Sequence, residues 1–120
     1  MADLIYTKFK ANLGNGTFDM DADTFKCALL TSSYTPDATD EVFADLSGEV
    51  SGTGYTAGGK TLSNASWTTS GTTAVLDAND PAWTEATITA RYAVIYKSGT
   101  ANGKANPLVC LLDFGADKGV

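Results

Sequence analysis

The chain has 120 residues, with 14 Asp and Glu against 8 Lys and Arg, and its formal charge is −6. This length predicts one domain spanning residues 1–120, with enough buried surface to fold without a disulfide or a metal. Histidine is absent, which removes the usual general base, proton shuttle and metal ligand at neutral pH. Most familiar enzyme mechanisms are therefore disfavoured, and we expect a non-enzymatic protein without a cofactor.

The acidic charge is concentrated near the start, because residues 1–50 hold 9 acidic and 3 basic side chains. No basic patch is present to release counterions from phosphates, so nucleic acid and anionic membranes are disfavoured as partners. No apolar run reaches the roughly 20 residues of a membrane helix, and the first residues lack the basic start of a signal peptide. We expect synthesis in the cytoplasm, with Cys27 and Cys110 as free thiols.

The first element in chain order is an amphipathic helix, predicted over residues 3–13. Its apolar side chains recur at helical spacing and would share one face: Ile5, Phe9 and Leu13. Asp3 is suited to cap the start of this helix. Gly14 and Gly16 predict that it ends there, because glycine readily adopts the left-handed conformation found just past helix ends.

A buried strand is predicted at Thr24–Thr31, a short apolar run between turn-rich segments. Residues 32–49 are predicted to form a long acidic loop. Three apolar side chains in that loop can hold a short helical turn against the core: Val42, Phe43 and Leu46.

The second half of the chain has strand patterns. Thr61–Thr69 and Thr72–Asp77 predict a hairpin closed by Ser70-Gly71. Residues 86–97 alternate: the even positions form one apolar face, and four residues point the other way, Thr87, Thr89, Arg91 and Lys97.

The last predicted strand is Leu108–Phe114, which is apolar on both faces and so is expected at the centre of a sheet. Residues 98–107 are expected to form an exposed hairpin loop before it. The whole pattern predicts a mainly β protein, an antiparallel β-sandwich or barrel-like domain with one N-terminal α-helix.

One motif suggests nucleotide binding, since Gly54–Thr61 satisfies the Walker A expression G-x-x-x-x-G-K-[ST]. That chemistry needs backbone N–H groups and a helix N-terminus directed at phosphates. The preceding residues 49–53 are polar and the following residues 62–67 are strand-like. We therefore interpret the motif as a glycine-rich turn or bulge and predict no nucleotide binding.

Two further patterns point weakly to ligands. Asp19, Asp21 and Asp23 begin like a calcium-binding loop, but the Gly and Glu that complete an EF-hand are missing, so we predict a solvated turn. Four aromatic side chains could form a sugar-stacking platform, although aromatics on such strands are more often core or interface: Trp67, Trp83, Tyr92 and Tyr96.

Four blocks of the sequence together resemble a family of small virion structural proteins of tailed bacteriophages. These blocks are Met1–Tyr6, Asp23–Pro36, Glu49–Gly59 and Ile88–Tyr96. The resemblance spans nearly the whole chain and brings no catalytic residues with it. In that family a polar turn and one more strand commonly follow the stretch similar to residues 112–118, so we expect a later strand or a neighbouring subunit to complete the sheet.

The resemblance implies a protein of the virion, made in the host cytoplasm and in contact with other phage structural proteins. We expect it to decorate or cement the capsid shell and to form a homo-oligomer within the particle. The alternatives are a neck or tail component, either adaptor or fibre-associated, a carbohydrate-binding adhesin module, and a small hydrolase. The candidate partner-contact residues are Asp37, Asp40, Glu41, Asp45, Trp83 and Tyr96; no catalytic, cofactor-binding or metal-binding residue is assigned.

Overall fold

Strands dominate the computed structural model, which describes residues 3–79, 81–83 and 86–119. The elements in chain order are β1 (Leu4–Ile5), α1 (Thr7–Gly14), β2 (Phe25–Leu30), a 3₁₀ helix (Phe43–Asp45), β3 (Lys60–Thr61), β4 (Ser66–Ser70), β5 (Thr73–Asp77), β6 (Thr89–Lys97), β7 (Thr100–Ala101), β8 (Lys104–Ala105) and β9 (Leu108–Gly119).

Five strands form an open antiparallel sheet in the order β1-β9-β6-β2-β3. The β4–β5 hairpin packs against the sheet through Trp67 and Leu76, and β7–β8 is a second, very small hairpin. The predicted class, mainly β and antiparallel with one helix, is confirmed. The arrangement is sandwich-like, and the described strands do not close into a barrel.

Strand β6 lies at the middle of the sheet, paired with β2 on one side and β9 on the other. Ala93 and Ile95 are buried in the same strand as the expected apolar positions Tyr92, Val94 and Tyr96. Of the residues predicted to point the other way, Thr87 and Thr89 are exposed and Arg91 and Lys97 are half-buried, whereas the prediction did not assign Ala93 and Ile95 to that face. The second half of β6 is therefore apolar on both faces. Both faces are covered there, one of them in part by the β4–β5 hairpin.

Strand β9 is central over its first half only. Leu111 pairs with Leu4 and Cys110 pairs with Ile5, so β1 covers β9 at just these two positions among the described residues. Farther along, β9 advances from Asp113 to Lys118 while β6 moves only from Tyr92 to Ala90, which leaves three extra residues in β9. This bulge interrupts the edge of the sheet, a common way to hinder unwanted strand pairing.

The N-terminal helix is four residues shorter at its start than predicted. Leu4 and Ile5 form β1, and the helix begins at Thr7 with the buried Tyr6 as its N-cap residue. Asp3 is not the cap; its carboxylate accepts a hydrogen bond from the backbone N–H of Asp113. The helical spacing of Ile5, Phe9 and Leu13 predicted the wrong start, because Ile5 is 55 % exposed and lies in the sheet and not on the helix.

The predicted end of the helix and the next strand are confirmed. The helix ends at Gly14, and Gly16 follows with φ of +86°. Strand β2 occupies Phe25–Leu30 and is buried along nearly its whole length. The acidic loop contains the expected short helical turn, with Phe43 and Leu46 packed against the core.

Both predicted hairpins exist, with changed details. Thr61 belongs to β3 of the main sheet, so the predicted strand Thr61–Thr69 is wrong and the first hairpin begins at Ser66. Ser70 pairs with Thr73, so the connection between β4 and β5 is Gly71-Thr72, one residue later than predicted. In the second hairpin Asn102 and Gly103 both have positive φ, which suits an Asn-Gly turn. Asn102 is exposed, yet its amide donates hydrogen bonds to the Thr17 hydroxyl at 3.0 Å and the Asn15 carbonyl at 3.2 Å.

Gly59 is expected to be far less replaceable than Gly16, although both have positive φ. A Cβ at Gly59 would collide with the Cys27 carbonyl oxygen in β2, whereas one at Gly16 meets nothing within 4 Å. Gly16→Ala should therefore cost only the left-handed strain of about 1–2 kcal/mol, and Gly59→Ala should cost clearly more. Urea denaturation of both variants measures this. Equal losses would contradict the close packing of Gly59 against β2.

Candidate functional site

The glycine-rich loop at residues 54–61 encloses a carboxylate of the protein itself. Glu49 Oε2 accepts a hydrogen bond from the Gly58 backbone N–H at 2.6 Å and another from the Tyr55 hydroxyl at 2.7 Å. The same Tyr55 oxygen accepts the backbone N–H of Leu29 at 3.0 Å. An internal anion thus lies where the motif would require a phosphate.

Aromatic rings surround this network and fix its shape. Tyr96 donates from its hydroxyl to the Gly58 carbonyl at 2.5 Å, and Tyr55 stacks on Trp83 with ring centroids 6.1 Å apart. Lys60 lies 5.8 Å from the Trp83 ring centroid and donates to the Ala82 carbonyl. The Lys that would bind phosphates in a nucleotide site is therefore engaged within the fold.

The structure also places Lys60 and Thr61 in β3, paired with Cys27 and Lys26 of β2. A strand in this position supplies no helix N-terminus to phosphates. The interpretation of the motif as a glycine-rich turn is confirmed.

The Asp19–Asp23 segment is a turn fastened by its own carboxylates. Asp23 accepts the backbone N–H of Asp19 at 2.8 Å and also lies 3.0 Å from the Lys97 ammonium. Asp19 accepts the backbone N–H of Asp21. Among the residues that the structure describes, no group of three or more His, Cys, Asp or Glu side chains is placed to hold a metal ion.

Two of the four acidic candidates lie on the surface of the 32–49 loop. Asp37 is exposed, and hydrogen bonds from the Thr39 hydroxyl and backbone N–H hold the pKa of its carboxyl below the usual value. Asp45 is also exposed and accepts the backbone N–H groups of Glu41 and Val42. Both carboxylates therefore face water from fixed positions; we call this pair the acidic surface.

The other two acidic candidates are half-buried and bind within the chain. Asp40 accepts a hydrogen bond from the Tyr34 hydroxyl at 2.8 Å, and burial raises the pKa of its carboxyl. Glu41 accepts one from the Asn12 amide at 3.1 Å. These contacts fasten the loop to the core and to the helix, so replacing either acid would alter the fold of the loop as well as its charge.

The aromatic candidates do not form one exposed platform. Tyr92 is 5 % exposed and Tyr96 is 3 % exposed, so neither presents a ring to a partner in this structure. Trp83 is half-buried against Tyr55, and Trp67 lies on the β4–β5 hairpin. Tyr96 is thus wrong as a surface contact. Its position at the end of an apolar strand did not reveal that Phe43 packs on its ring and that the Gly58 carbonyl accepts its hydroxyl.

The two cysteines are free thiols, as predicted. Cys27 and Cys110 each pair with Ile95 from opposite sides, so they share one face of the sheet at a spacing of two strands. Two strand spacings are about 9.6 Å, beyond the roughly 7 Å limit for a disulfide. Burial raises the pKa of the Cys110 thiol to about 11 and that of Cys27 to about 12.

An apolar cavity of about 370 Å³ lies between the β4–β5 hairpin and the sheet. Trp67 and Leu76 line it from the hairpin, and Ile95, Cys110 and Leu112 line it from the sheet. The sequence pattern missed this cavity. The available signal was that residues 108–112 are apolar on both faces, which indicates a covering layer without indicating how completely it fills the space.

Comparisons with protein-family models, with curated proteins and with solved structures found no match to this chain. Within the described residues, no helix has the length and apolar character needed to span a membrane.

We predict that the protein does not bind ATP or GTP. Glu49 already accepts the Gly58 N–H, and a phosphate placed there would meet that carboxylate at close range. Titration calorimetry with magnesium nucleotides should show no heat of binding. A micromolar site that disappears in Lys60→Ala would contradict this reading of the loop.

Alkaline pH should destabilise the fold in part through Tyr96. Burial, together with the negative charge of Glu49, raises its pKa to about 12, against an ordinary value of about 10. Between these values the unfolded chain releases the proton while the folded chain retains it, so the free energy of unfolding falls from about pH 10 to about pH 12. In Tyr96→Phe the loss between pH 9 and pH 12, measured by urea denaturation, should be smaller. An equal loss would rule out Tyr96 as a contributor.

Proposed function

We propose that this chain is a non-enzymatic structural protein of a tailed-phage particle that decorates or cements the capsid shell. The observation that carries the proposal is the acidic surface formed by Asp37 and Asp45, which is exposed and lies on a loop that is hydrogen-bonded to the core. A basic patch on a shell protein would be its natural complement.

The loop that presents this surface is fixed at points far apart in the chain. The Thr7 N–H donates to the Ala38 carbonyl at 2.9 Å, and the Leu108 N–H donates to the Glu41 carbonyl at 2.9 Å. Tyr34 is buried and shares a hydrogen bond with Tyr6 at 3.1 Å. A surface that is ordered before binding loses less conformational entropy on docking.

The blocks that carry the family resemblance supply central elements of the fold. Asp23–Pro36 contains β2 and the anchoring Tyr34, and Ile88–Tyr96 contains most of β6. Glu49–Gly59 contains the internal carboxylate network.

A neck or tail position would use the same acidic surface against a different neighbour. For the carbohydrate-binding alternative, the burial of Tyr92 and Tyr96 gives no support.

High salt should release this protein from particles before the major shell protein dissociates. The Debye length falls from about 8 Å at physiological salt to about 3 Å at 1 M, which screens exposed ion pairs. Asp37→Asn with Asp45→Asn should bind about 2-fold to 30-fold more weakly, because each exposed pair contributes about 0.2–1 kcal/mol. Quantitative gels of salt-washed particles measure the release.

Asp21→Asn is the matched control, since Asp21 is exposed but lies outside the 32–49 loop. It should bind like the wild type. Full retention in high salt, with no effect of the Asp37 and Asp45 changes, would exclude the acidic surface as the docking site.

A further inference from the structure

The tip of the β7–β8 hairpin is fastened to the segment that follows α1 by one asparagine side chain. The Asn102 amide nitrogen donates to the Thr17 hydroxyl at 3.0 Å and to the Asn15 carbonyl at 3.2 Å. We call these two hydrogen bonds the hairpin anchor. Both Asn102 and Asn15 are followed by glycine, so the anchor joins the two Asn-Gly sequences of the chain.

Asn-Gly is the dipeptide at which an asparagine side chain reacts most easily with its own backbone. Glycine has no Cβ, so its nitrogen can closely approach the side-chain amide carbon of the preceding asparagine. The opposite case lies in the same hairpin, where Asn106 is followed by Pro107, which has no N–H to give up. The hairpin therefore holds one reactive asparagine and one that cannot react in this way.

The two Asn-Gly sequences differ in how firmly the reacting amide is held. The Asn15 oxygen accepts from the Thr17 hydroxyl at 2.6 Å and from the Thr17 N–H at 3.1 Å, and the Asn15 amide nitrogen donates to Asn12 at 3.3 Å. Hydrogen bonds among the described residues hold the Asn102 amide through its nitrogen alone. The Asn102 amide carbon is therefore the freer of the two to turn towards the following nitrogen.

The hairpin around Asn102 is also small enough to open locally. β7 and β8 share two residue pairs, Thr100–Ala105 and Ala101–Lys104, and a two-stranded hairpin alone is marginally stable in water. Asn102 is exposed at its tip. Opening of such a segment costs far less free energy than unfolding of the whole domain, so the hairpin anchor breaks and reforms in the native protein.

We propose that Asn102 is a site of spontaneous deamidation and that the reaction releases the β7–β8 hairpin from the segment that follows α1. The Gly103 nitrogen attacks the side-chain amide carbon of Asn102 and forms a C–N bond. The bond from that carbon to the side-chain nitrogen breaks, and ammonia leaves with the proton from Gly103. Water then opens the resulting succinimide at either carbonyl, which gives aspartate or isoaspartate at residue 102.

The product cannot rebuild the hairpin anchor. An ionised carboxylate only accepts hydrogen bonds, and the Asn15 carbonyl that it would face accepts as well. The Thr17 hydroxyl already donates to the Asn15 side chain, and the Lys97 ammonium, which donates to the Thr17 carbonyl, is paired with Asp23 at 3.0 Å. Isoaspartate also adds one carbon to the backbone of the two-residue turn, which disturbs the turn geometry.

Peptide mapping of the intact protein tests the reaction. After incubation in mildly alkaline buffer, trypsin cleaves after Lys97 and Lys104 and isolates Asn102 as the one asparagine of its peptide. Mass spectrometry should detect isoaspartate, which direct hydrolysis of the amide does not form, at residue 102 before residue 15 and not at residue 106. Conversion first at residue 15, or an intact residue 102 after a month of incubation, would overturn the proposal.

Asn102→Asp introduces the charge of the product without the reaction. Aspartate tolerates the positive φ of +51° as asparagine does, so the turn is retained while the donor is lost. Hydrogen exchange at residues 99–106 should be faster than in the wild type. Asn64→Asp is the matched control, because it makes the same change at an exposed residue with φ of +52° outside the hairpin, and it should leave that exchange unchanged. Equal exchange in Asn102→Asp and the wild type would overturn the release of the hairpin.

Thr17→Val tests whether the hairpin anchor controls the rate of the reaction. Valine has nearly the shape of threonine but cannot accept a hydrogen bond, so deamidation at residue 102 should be about 2-fold to 13-fold faster, the effect of one net hydrogen bond. Urea denaturation checks that the variant is folded. A rate in the folded variant equal to that of the wild type would overturn the role of the anchor.

Discussion

The double pairing of β6 is the constraint on which the rest of the fold depends. β6 is hydrogen-bonded to β2 on one edge and to β9 on the other, and Tyr92–Tyr96 are buried without interruption. A strand buried on both faces needs a covering layer on each side. The β4–β5 hairpin contributes to one layer, and the incomplete contact between that hairpin and the sheet leaves the apolar cavity.

The Glu49 network shows how a motif can match a function that its surroundings exclude. The glycines permit positive φ at residues 54, 58 and 59, as a phosphate-binding loop would also require. Here that freedom lets β3 approach β2 closely at Gly59 and lets the Gly58 N–H bind a carboxylate. In this protein, the glycine conformations and free N–H groups that could bind a phosphate therefore stabilise the packing of β3 against β2.

Local patterns in the sequence were sufficient for elements whose partners lie nearby. β2, the end of the helix, the β4–β5 hairpin and the helical turn in the acidic loop follow from periodicity and turn residues. Contacts between distant parts of the chain could not be predicted from such local patterns. β1 is a two-residue strand that exists because Leu4 pairs with Leu111, and no local pattern could distinguish it from the first turn of the helix.

The candidate partner-contact residues fall into exposed and internally bonded groups for the same reason. Exposure of Asp37 and Asp45 was foreseeable from a long polar loop, whereas the internal partners of Asp40 and Glu41 come from Tyr34 and from α1. Tyr96 illustrates the limit most clearly. Its ring packs against Phe43, with centroids 4.6 Å apart, and its hydroxyl donates to the Gly58 carbonyl. Both contacts come from loops distant in the sequence.

In the role that we propose, the chain is a structural subunit that docks on the particle through its acidic loop. Electron cryomicroscopy of the parent particle, with this chain located in the density, tests that claim most directly. The account predicts repeated copies on the shell, with Asp37 and Asp45 facing basic side chains of a shell protein. Purified particles that lack the chain, or that hold it with the 32–49 loop facing solvent, would contradict the account.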